Sequence, residues 1–499
     1  MTTTPSMTSG SISSAGLGSG LDVKSIISSL MAVESQPLTL LQNAAQTVQT
    51  EISAVGQIQS LTSTMSDKAH ALANSSLWTQ TTSSTADPTV VTADTSGGTA
   101  APGDFSVSVQ QLAQGQTATL ATPATSFGTG SLTIQLGTYS ADTATPPNVS
   151  FQAAGSPSPS ITIGTGDTSL AAIRDKINAA GAGVSASIIT DANGSRLSLR
   201  STSTGAANGF QIVANPDAVD PSSTSTATSL SALSFDASTG AASSQLTLNQ
   251  FAANAKATVN GIAVESATNK LSNISDGLSL TLLKVSATPV DVGVSIDTAS
   301  MQTAITDFVS AYSALQSYIS LQTKYDSSIG VAAGTSRTDG PLTGDPSIIG
   351  FQNQLRAIVN TTSTTSTMYA RLSDIGIAVQ TDGTLAIGNQ NKLTSALNNP
   401  AELAKLFDTQ GTTNENTGIA VRFANLADAA VQPDGALSSR ESGLQGELSR
   451  NSKEQDDMQT HLDATQARLT AQYQALDTTM SQMSALSSYV SQQVSLMEK

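Results

Sequence analysis

The sequence predicts an α+β multidomain protein, with α-helical coiled-coil terminal regions and antiparallel β-sheet outer domains inserted between the N- and C-terminal helices. Two patterns lead to this prediction: apolar residues recur every seven positions near both ends, whereas they alternate with polar residues in the middle. The length of 499 residues is a third observation, because a single core usually stops growing at about 250–300 residues. We therefore expect several domains whose helical ends pair with each other.

Two helices are predicted near the amino terminus. Asp22 is a suitable N-cap for the first, whose apolar face carries Ile26, Leu30 and Val33. Ser35-Gln36-Pro37 interrupts this helix, and because proline is tolerated in a first helical turn, a second helix is predicted over residues 37–72. Its two seven-residue series are Leu41, Val48 and Val55, and Leu38, Ala45 and Ile52. This spacing is typical of a coiled-coil seam.

One long helix is predicted at the carboxyl terminus, since no proline or glycine follows Gly446. Its seven-residue series, which only one glutamine interrupts, consists of Leu448, Gln455, Leu462, Leu469, Leu476, Met483, Val490 and Met497. The alternate seam is half polar and consists of Met458, Thr465, Gln472, Thr479, Leu486 and Gln493. A half-polar seam predicts weak association in isolation and moderate, reversible contacts in an assembly.

Between these ends the apolar period changes to two. Strict alternation predicts strands at residues 105–109, 258–262 and 278–282. The stretch 121–249 is dense in Ser, Thr, Ala and Gly, but it contains one patterned unit. In that unit a short helix carries Leu170, Ile173 and Ile177, and strands at 184–188 and 197–199 flank a turn at 191–194.

The pattern returns to helix over residues 301–321 and again around Leu403, Leu406 and Phe407, with a hairpin between them at 377–379 and 385–387. We therefore predict four regions. They are terminal leg helices (1–40 and 455–499), a helical stem domain with a small hairpin (41–80 and 299–454), an inner β domain (81–120 and 250–298) and a variable outer β domain (121–249).

The composition excludes several functions. The chain has 21 basic and 37 acidic residues, a net charge of −16, and no basic run that could neutralise nucleic-acid phosphates or anionic lipids. It has no cysteine and 2 histidines, so thiol chemistry is excluded and no catalytic cluster is indicated. Gly181-Ala-Gly183-Val-Ser-Ala186 matches a dinucleotide pattern, but it follows a helix and precedes a strand, the reverse of the required order. We expect no enzyme activity, cofactor, metal, secretory leader or membrane insertion.

Several short motifs are specific as an ordered set. Those near the start are Gly16-Leu-Gly18-Ser-Gly20-Leu-Asp22 and Pro102-Gly103-Asp104-Phe105. Those that follow are Val259-Asn260-Gly261, Gly340-Pro341-Leu342-Thr343-Gly344-Asp345 and Asp374-Ile375-Gly376-Ile377. In these motifs the chain resembles the flagellar filament capping proteins, a family also called hook-associated protein 2. The unit over residues 170–199 resembles a motif shared by flagellin and hook-associated proteins.

This resemblance implies a structural cap at the distal tip of the bacterial flagellum, outside the cell. Such a cap is a homo-oligomeric ring that promotes the insertion and polymerisation of exported flagellin and prevents its leakage. The resemblance also implies hook-associated junction proteins as partners, export through the flagellar type III apparatus, and a cytoplasmic chaperone that binds the carboxyl-terminal helix. A chain without cysteine, whose terminal helices are weak alone, suits export in an unfolded state.

The residues expected to contact other subunits or the filament come from the helical seams. They are Ile26, Leu30, Val33, Leu41, Val48, Ile52, Val55, Leu462, Leu469, Leu476, Met483, Val490 and Met497. The same seams could instead form an intramolecular core, and the sequence leaves both readings open. Two other functions also stay open: a tip adhesin that binds host glycans or mucin through the Ser/Thr-rich insert, and another axial protein, either flagellin or a hook–filament junction protein.

Overall fold

The computed structural model describes residues 22–95, 100–141, 149–155, 158–217, 227–238, 245–326 and 339–497. Most of the first motif, Gly16-Leu-Gly18-Ser-Gly20, lies outside these residues. The chain forms two compact units: the first comprises Met1–Trp78 and Thr298–Lys499, and the second comprises Thr79–Asp297. The first unit is thus built from an amino-terminal and a carboxyl-terminal segment of the chain.

The helices are α1 (Val23–Glu34), α2 (Gln36–Leu72), α3 (Ser75–Thr79), α4 (Leu170–Ala179), α5 (Thr298–Gln322), α6 (Pro346–Asn360), α7 (Gln390–Leu397), α8 (Pro400–Asp408), α9 (Ile419–Val431) and α10 (Ala436–Met497). The strands are β1 (Thr81–Thr85), β2 (Val91–Asp94), β3 (Gly103–Gln111), β4 (Thr117–Leu120), β5 (Gly130–Ala141), β6 (Val149–Ala153), β7 (Ser160–Ile163), β8 (Val184–Asp191), β9 (Gly194–Ser201), β10 (Gly209–Pro216), β11 (Leu246–Gln250), β12 (Ala255–Val259), β13 (Ile262–Ser266), β14 (Lys270–Ser275), β15 (Leu278–Leu282), β16 (Val290–Ile296), β17 (Ile377–Val379) and β18 (Leu385–Ile387). This content confirms the predicted α+β class.

The terminal helices begin and end where the local chemistry requires. Asp22 caps α1 by accepting a hydrogen bond from the Ser25 amide at 3.0 Å. Ser35 alone separates α1 from α2, and Pro37 lies in the first turn of α2, where its missing N–H removes no helical hydrogen bond. The 62 residues of α10 extend over about 93 Å at 1.5 Å per residue.

The core of the first unit forms where α2 packs against α5, α9 and α10. Phe308, Tyr312 and Phe423 are almost fully buried at its centre, with the Phe423 ring 5.1 Å from Phe308 and 5.5 Å from Tyr312. Burial raises the pKa of the Tyr312 phenol to about 12. The Ser313 hydroxyl donates to the Leu385 carbonyl at 2.7 Å and thereby holds the β17–β18 hairpin on α5.

The first of two apolar cores among the described residues of the second unit lies between strands that are far apart in sequence. A five-stranded antiparallel sheet has the order β1-β16-β3-β12-β13, and a three-stranded sheet has the order β14-β15-β2. Alternate side chains of these strands, including Val107, Val292 and Leu280, are buried in a shared cluster. The cluster therefore draws on both ends of the second unit's sequence.

A further apolar core of the second unit lies among residues 118–246. Here β10, β5 and β6 form a sheet with β7 also paired to β5, and β11, β4, β9 and β8 form another. Helix α4 contributes Leu170, Ile173 and Ile177 to this core, which also contains Phe127 and Phe210. The helix, the two strands and the Asp191–Gly194 turn that the sequence predicts here are all present.

One predicted strand is wrong, and two of the longer helices were not predicted. The stretch 258–262 is not one strand: Asn260 and Gly261 adopt positive φ values of 49° and 81° and form the turn between β12 and β13. The alternation of apolar and polar residues continues across the turn because Ile262 is the first residue of β13. Helices α6 and α9 are absent from the sequence-based prediction, although Asp345-Pro346 is a typical helix start and Ile348, Phe351 and Leu355 recur at helical spacing.

Candidate interaction surface on the terminal helices

The first half of α10 belongs to the core of its own unit. Leu437 and Leu444 are fully buried, and Leu462 and Thr465 are at most 7 % exposed. Helix α10 packs along α2 and also contacts α1, α6 and α9. This part of the helix already has a partner within the chain.

Helix α1 covers the next part of α10. Val23 and Ile27 are buried, and a cleft of about 720 Å³ lies beside them, lined by Met31 of α1 and by Gln466 and Thr470 of α10. The α10 side of this cleft is polar, so the α1 contact combines apolar and amide or hydroxyl groups. Such a contact is weaker than a continuous apolar seam.

Beyond this contact, every side chain of α10 from residue 478 to residue 497 is exposed. Most of the large apolar residues from Leu476 onward share one face, since at 100° per residue they fall within an arc of about 120°. We call this set the apolar stripe; its members are Leu476, Met480, Met483, Leu486, Val490, Val494 and Met497, all between 41 and 86 % exposed. No charged residue occurs between Asp477 and Glu498. The part of the chain that the structure describes supplies no cover for the stripe.

The predicted contact residues fall into three groups. Val48, Val55 and Leu462 are buried in the first unit's own core, as the intramolecular reading of the seams expects. Ile26, Leu41, Ile52 and Leu469 are partly buried. Leu30, Val33, Leu476, Met483, Val490 and Met497 are exposed and free to meet another chain.

The predicted alternate seam differs from the exposed apolar face. Of that seam, Thr465 is buried despite its polarity, and the stripe uses Met480 and Val494, each one position beyond the predicted Thr479 and Gln493. A seven-residue series is flanked at both +3 and +4; here the apolar neighbour is at +4 after Leu476 and Val490 and at +3 after Met483. The exposed face is therefore more apolar than predicted.

Charged side chains join the amino-terminal end of α10 to α2 and α6. Arg440 contacts Asp345 at the start of α6 and lies 3.2 Å from the Glu51 carboxylate of α2. Burial raises the pKa of the Glu51 carboxyl, although the Arg440 guanidinium acts to lower it. Sequence reasoning did not find this cluster, because its members are far apart in sequence; the motif that ends at Asp345 was its only local signal.

The described residues form neither a candidate membrane span nor a candidate metal site. No helix among them is both long and apolar enough to cross a membrane. No three of their histidine, aspartate and glutamate side chains converge as metal ligands would.

Models of known families match most of the chain. Residues 19–116 match the flagellar hook-associated protein 2 N-terminus, and residues 252–485 match the C-terminus of the same family. Residues 150–203 match the flagellin hook IN motif. The last match covers β6, β7, α4, β8 and β9, which include the unit noted in the sequence.

Whole-chain relatives and a solved structure agree with these matches. Flagellar hook-associated protein 2 of Escherichia coli strain K12 is 33 % identical over 97 % of this chain and 98 % of its own length. The B-type flagellar hook-associated protein 2 of Pseudomonas aeruginosa strain PAO1 is 30 % identical over 94 % of both chains. The crystal structure of the D1-D2-D3 domains of the flagellar cap protein FliD from Escherichia coli superposes with a TM-score of 0.58 at 30 % identity, over 79 % of this chain and 99 % of that one. The chain belongs to the flagellar hook-associated protein 2 family, the family of the flagellar cap protein.

Proposed function

We propose that this protein forms the cap at the distal end of the bacterial flagellar filament and that the apolar stripe of α10 makes its contacts with the filament and with neighbouring copies. The observation that carries the second part is the exposure of seven apolar side chains on one face, without a charged residue among them. An exposed apolar patch of this kind marks an interaction site in soluble proteins. Family membership identifies the assembly in which that site would act.

The proposed mechanism involves contacts rather than bond chemistry. Copies of the chain form a ring that closes the end of the filament, promotes insertion of exported flagellin and prevents its escape. Each insertion requires the terminal helices to release one contact and form another. Ser487 interrupts the stripe, and the α1 contact with α10 is partly polar, so both surfaces favour contacts of moderate strength.

The same stripe needs cover before the protein reaches the filament. We propose that a cytoplasmic chaperone of the export pathway binds it and that the type III export apparatus carries the chain out of the cell. Hook-associated junction proteins would be the first structure that the arriving cap meets. The exposed apolar side chains support a partner at every one of these stages.

A matched pair of triple variants tests the stripe. In the first, Met483, Val490 and Met497 become serine; in the second, Ser481, Ser488 and Gln492 on the opposite face become asparagine. All six side chains are exposed, so neither variant should change the thermal stability of the purified protein. We expect the first variant to leave short filaments and unpolymerised flagellin in the medium, and the second to support normal growth.

Export and capping are separated by adding purified protein to cells that lack their own cap. The stripe variant should fail to restore filament growth in this assay, whereas the opposite-face variant should restore it. Normal growth with the stripe variant would show that the cap does not use this surface. The alternative function of a tip adhesin finds no support in the comparisons, which match proteins described as hook-associated or cap proteins.

A further inference from the structure

A cavity of about 440 Å³ lies in the first unit between α6, α9 and the loop that precedes α9. It is separate from the apolar stripe and from the charge cluster around Arg440. Gln354, Ala357 and Ile358 of α6 form one side, Asn425 and Leu426 of α9 form another, and Thr412 and Thr413 of the loop close it. The cavity is large enough for a small ligand or for one inserted side chain.

Arg422 supplies the only charge among the residues that line this cavity. Its side chain is on the second turn of α9 and is 5 % exposed. Within the part of the chain that the structure describes, none of its three guanidinium nitrogens donates a hydrogen bond to a protein atom. A buried guanidinium stays charged and is strongly disfavoured without an acceptor, so this side chain requires a partner.

The rest of the lining indicates which partner fits. Apart from apolar Ala357, Ile358 and Leu426, it offers neutral hydroxyl and amide groups. One fixed positive charge therefore matches a ligand with one negative charge. A phosphate dianion would leave the site with an excess negative charge, whereas a carboxylate accepts two parallel hydrogen bonds from an arginine fork.

Glu415 is the internal alternative. Its carboxylate acts on Arg422 electrostatically, since burial lowers the pKa of Arg422 and Glu415 raises it. However, the Glu415 residue is exposed, its backbone carbonyl is held by Thr364, and its carboxylate makes no hydrogen bond to Arg422. The Glu415 carboxylate thus leaves the guanidinium of Arg422 without a hydrogen-bond acceptor.

We propose that the Arg422 cavity is a binding site for a single carboxylate group. The carboxylate belongs either to a small organic acid or to an aspartate or glutamate side chain of another protein chain. In both cases the bidentate pair with Arg422 fixes the ligand, and the amides of Gln354 and Asn425 lie beside it. This site is independent of the stripe and of the capping proposal.

The test is calorimetric titration of the full-length protein with sodium acetate and, separately, with the α-amide of N-acetyl-glutamic acid, in which only the side-chain carboxylate is free. Arg422→Met removes the charge with little change in volume, Arg422→Lys keeps the charge without the fork, and Arg468→Gln removes an exposed arginine of α10 as the control. We expect binding at one site in the wild-type protein and in Arg468→Gln. We expect binding at least tenfold weaker in Arg422→Met and an intermediate affinity in Arg422→Lys.

The two ligands distinguish the source. Acetate binding without binding of the amino-acid derivative indicates a free acid, whereas binding of both indicates that an acidic side chain can enter. Equal responses of the wild-type protein and Arg422→Met would overturn the proposal, as would absence of binding in every protein. A further variant, Glu415→Gln, tests the internal alternative. Binding that appears in this variant but not in the wild-type protein would also overturn the proposal, because Glu415 would then be the resident partner of Arg422.

Discussion

Asp345 is the residue on which the first unit's charge cluster depends. Its carboxylate caps α6 by accepting hydrogen bonds from the Ser347 amide at 2.9 Å and the Ile348 amide at 3.2 Å. It also contacts the Arg440 guanidinium of α10, and its side chain is 4 % exposed. One side chain thus starts α6 and joins α6 to α10.

The cost of removing it can be estimated from these two contacts. Replacing an aspartate N-cap by alanine destabilises a protein by about 1 kcal/mol. Removing one partner of a fully buried ion pair costs about 3–5 kcal/mol. Arg440 is 29 % exposed and keeps Glu51 as a partner, so we expect about 1–2 kcal/mol from the pair, near the lower end of the range of about 1.5–3 kcal/mol for charged hydrogen bonds. Asp345→Ala should therefore lower the free energy of unfolding by about 2–3 kcal/mol, the sum of these two estimates.

Asp345→Asn separates the two contributions. Asparagine is as good an N-cap as aspartate, so this variant should lose only the ionic part, about 1–2 kcal/mol. The assay is urea unfolding followed by helical circular dichroism, with a double-mutant cycle that adds Arg440→Met. A coupling energy below about 0.5 kcal/mol, or equal losses in Asp345→Asn and Asp345→Ala, would refute this reasoning.

Three further predictions concern other parts of the first unit. Hydrogen bonds from Lys405, and to a smaller extent from Ser366 and Thr367, lower the pKa of the Glu402 carboxyl to about 2. The ionised Glu402 therefore stabilises the fold above about pH 4.5, and this effect is lost as the pH falls toward 2. Glu402→Gln should lower the melting temperature by more at pH 7 than at pH 2.5, and an equal decrease at both pH values would contradict this. Gly376 has φ +88°, and a Cβ there would lie 2.2 Å from the Asn389 carbonyl oxygen, whereas a Cβ at Gly56 of α2 would meet open space. Gly376→Ala should therefore destabilise the protein by at least about 2 kcal/mol, and Gly56→Ala should stabilise it by about 0.5–1 kcal/mol. Urea unfolding should show changes of opposite sign in the free energy of unfolding of the two variants. Leu462 is 4 % exposed, so Leu462→Ala should lower the free energy of unfolding by about 2–4 kcal/mol. Met483 is 62 % exposed, so Met483→Ala should change it by less than about 0.5 kcal/mol. Similar decreases in both variants would place the two residues in one core.

Local patterns predicted much of this fold because they depend on neighbours in sequence. Asp22 and Pro37 set the bounds of α1 and α2, and the hairpin Ile377–Val379 with Leu385–Ile387 is present as predicted. The structure also explains why two of the family motifs contain asparagine or glycine at fixed positions. Asn260-Gly261 supplies the positive φ values of a tight hairpin, and Gly376 ends a helical turn in the left-handed region.

Long-range partners could not be predicted in the same way. Arg440 is on a helix whose local pattern gives no reason to join it to Glu51, which lies 389 positions away. Arg422 likewise has an ordinary helical context, and only the folded structure shows that its guanidinium is buried beside a cavity. The spacing of a single sequence predicts a face but not what covers it.

The two parts of α10 therefore have different energetics. The first contributes Leu437, Leu444 and Leu462 to a core that exists without any other chain. The apolar stripe gains nothing from the described part of its own chain, and burying seven half-exposed apolar side chains would contribute about 5–10 kcal/mol, at roughly half the value for complete burial of each. Association costs on the order of 4–15 kcal/mol in lost freedom of motion. One stripe alone thus gives contacts near balance. Under the proposed function, firm attachment of a cap therefore requires several copies bound together, while each single helix stays free to detach and bind again.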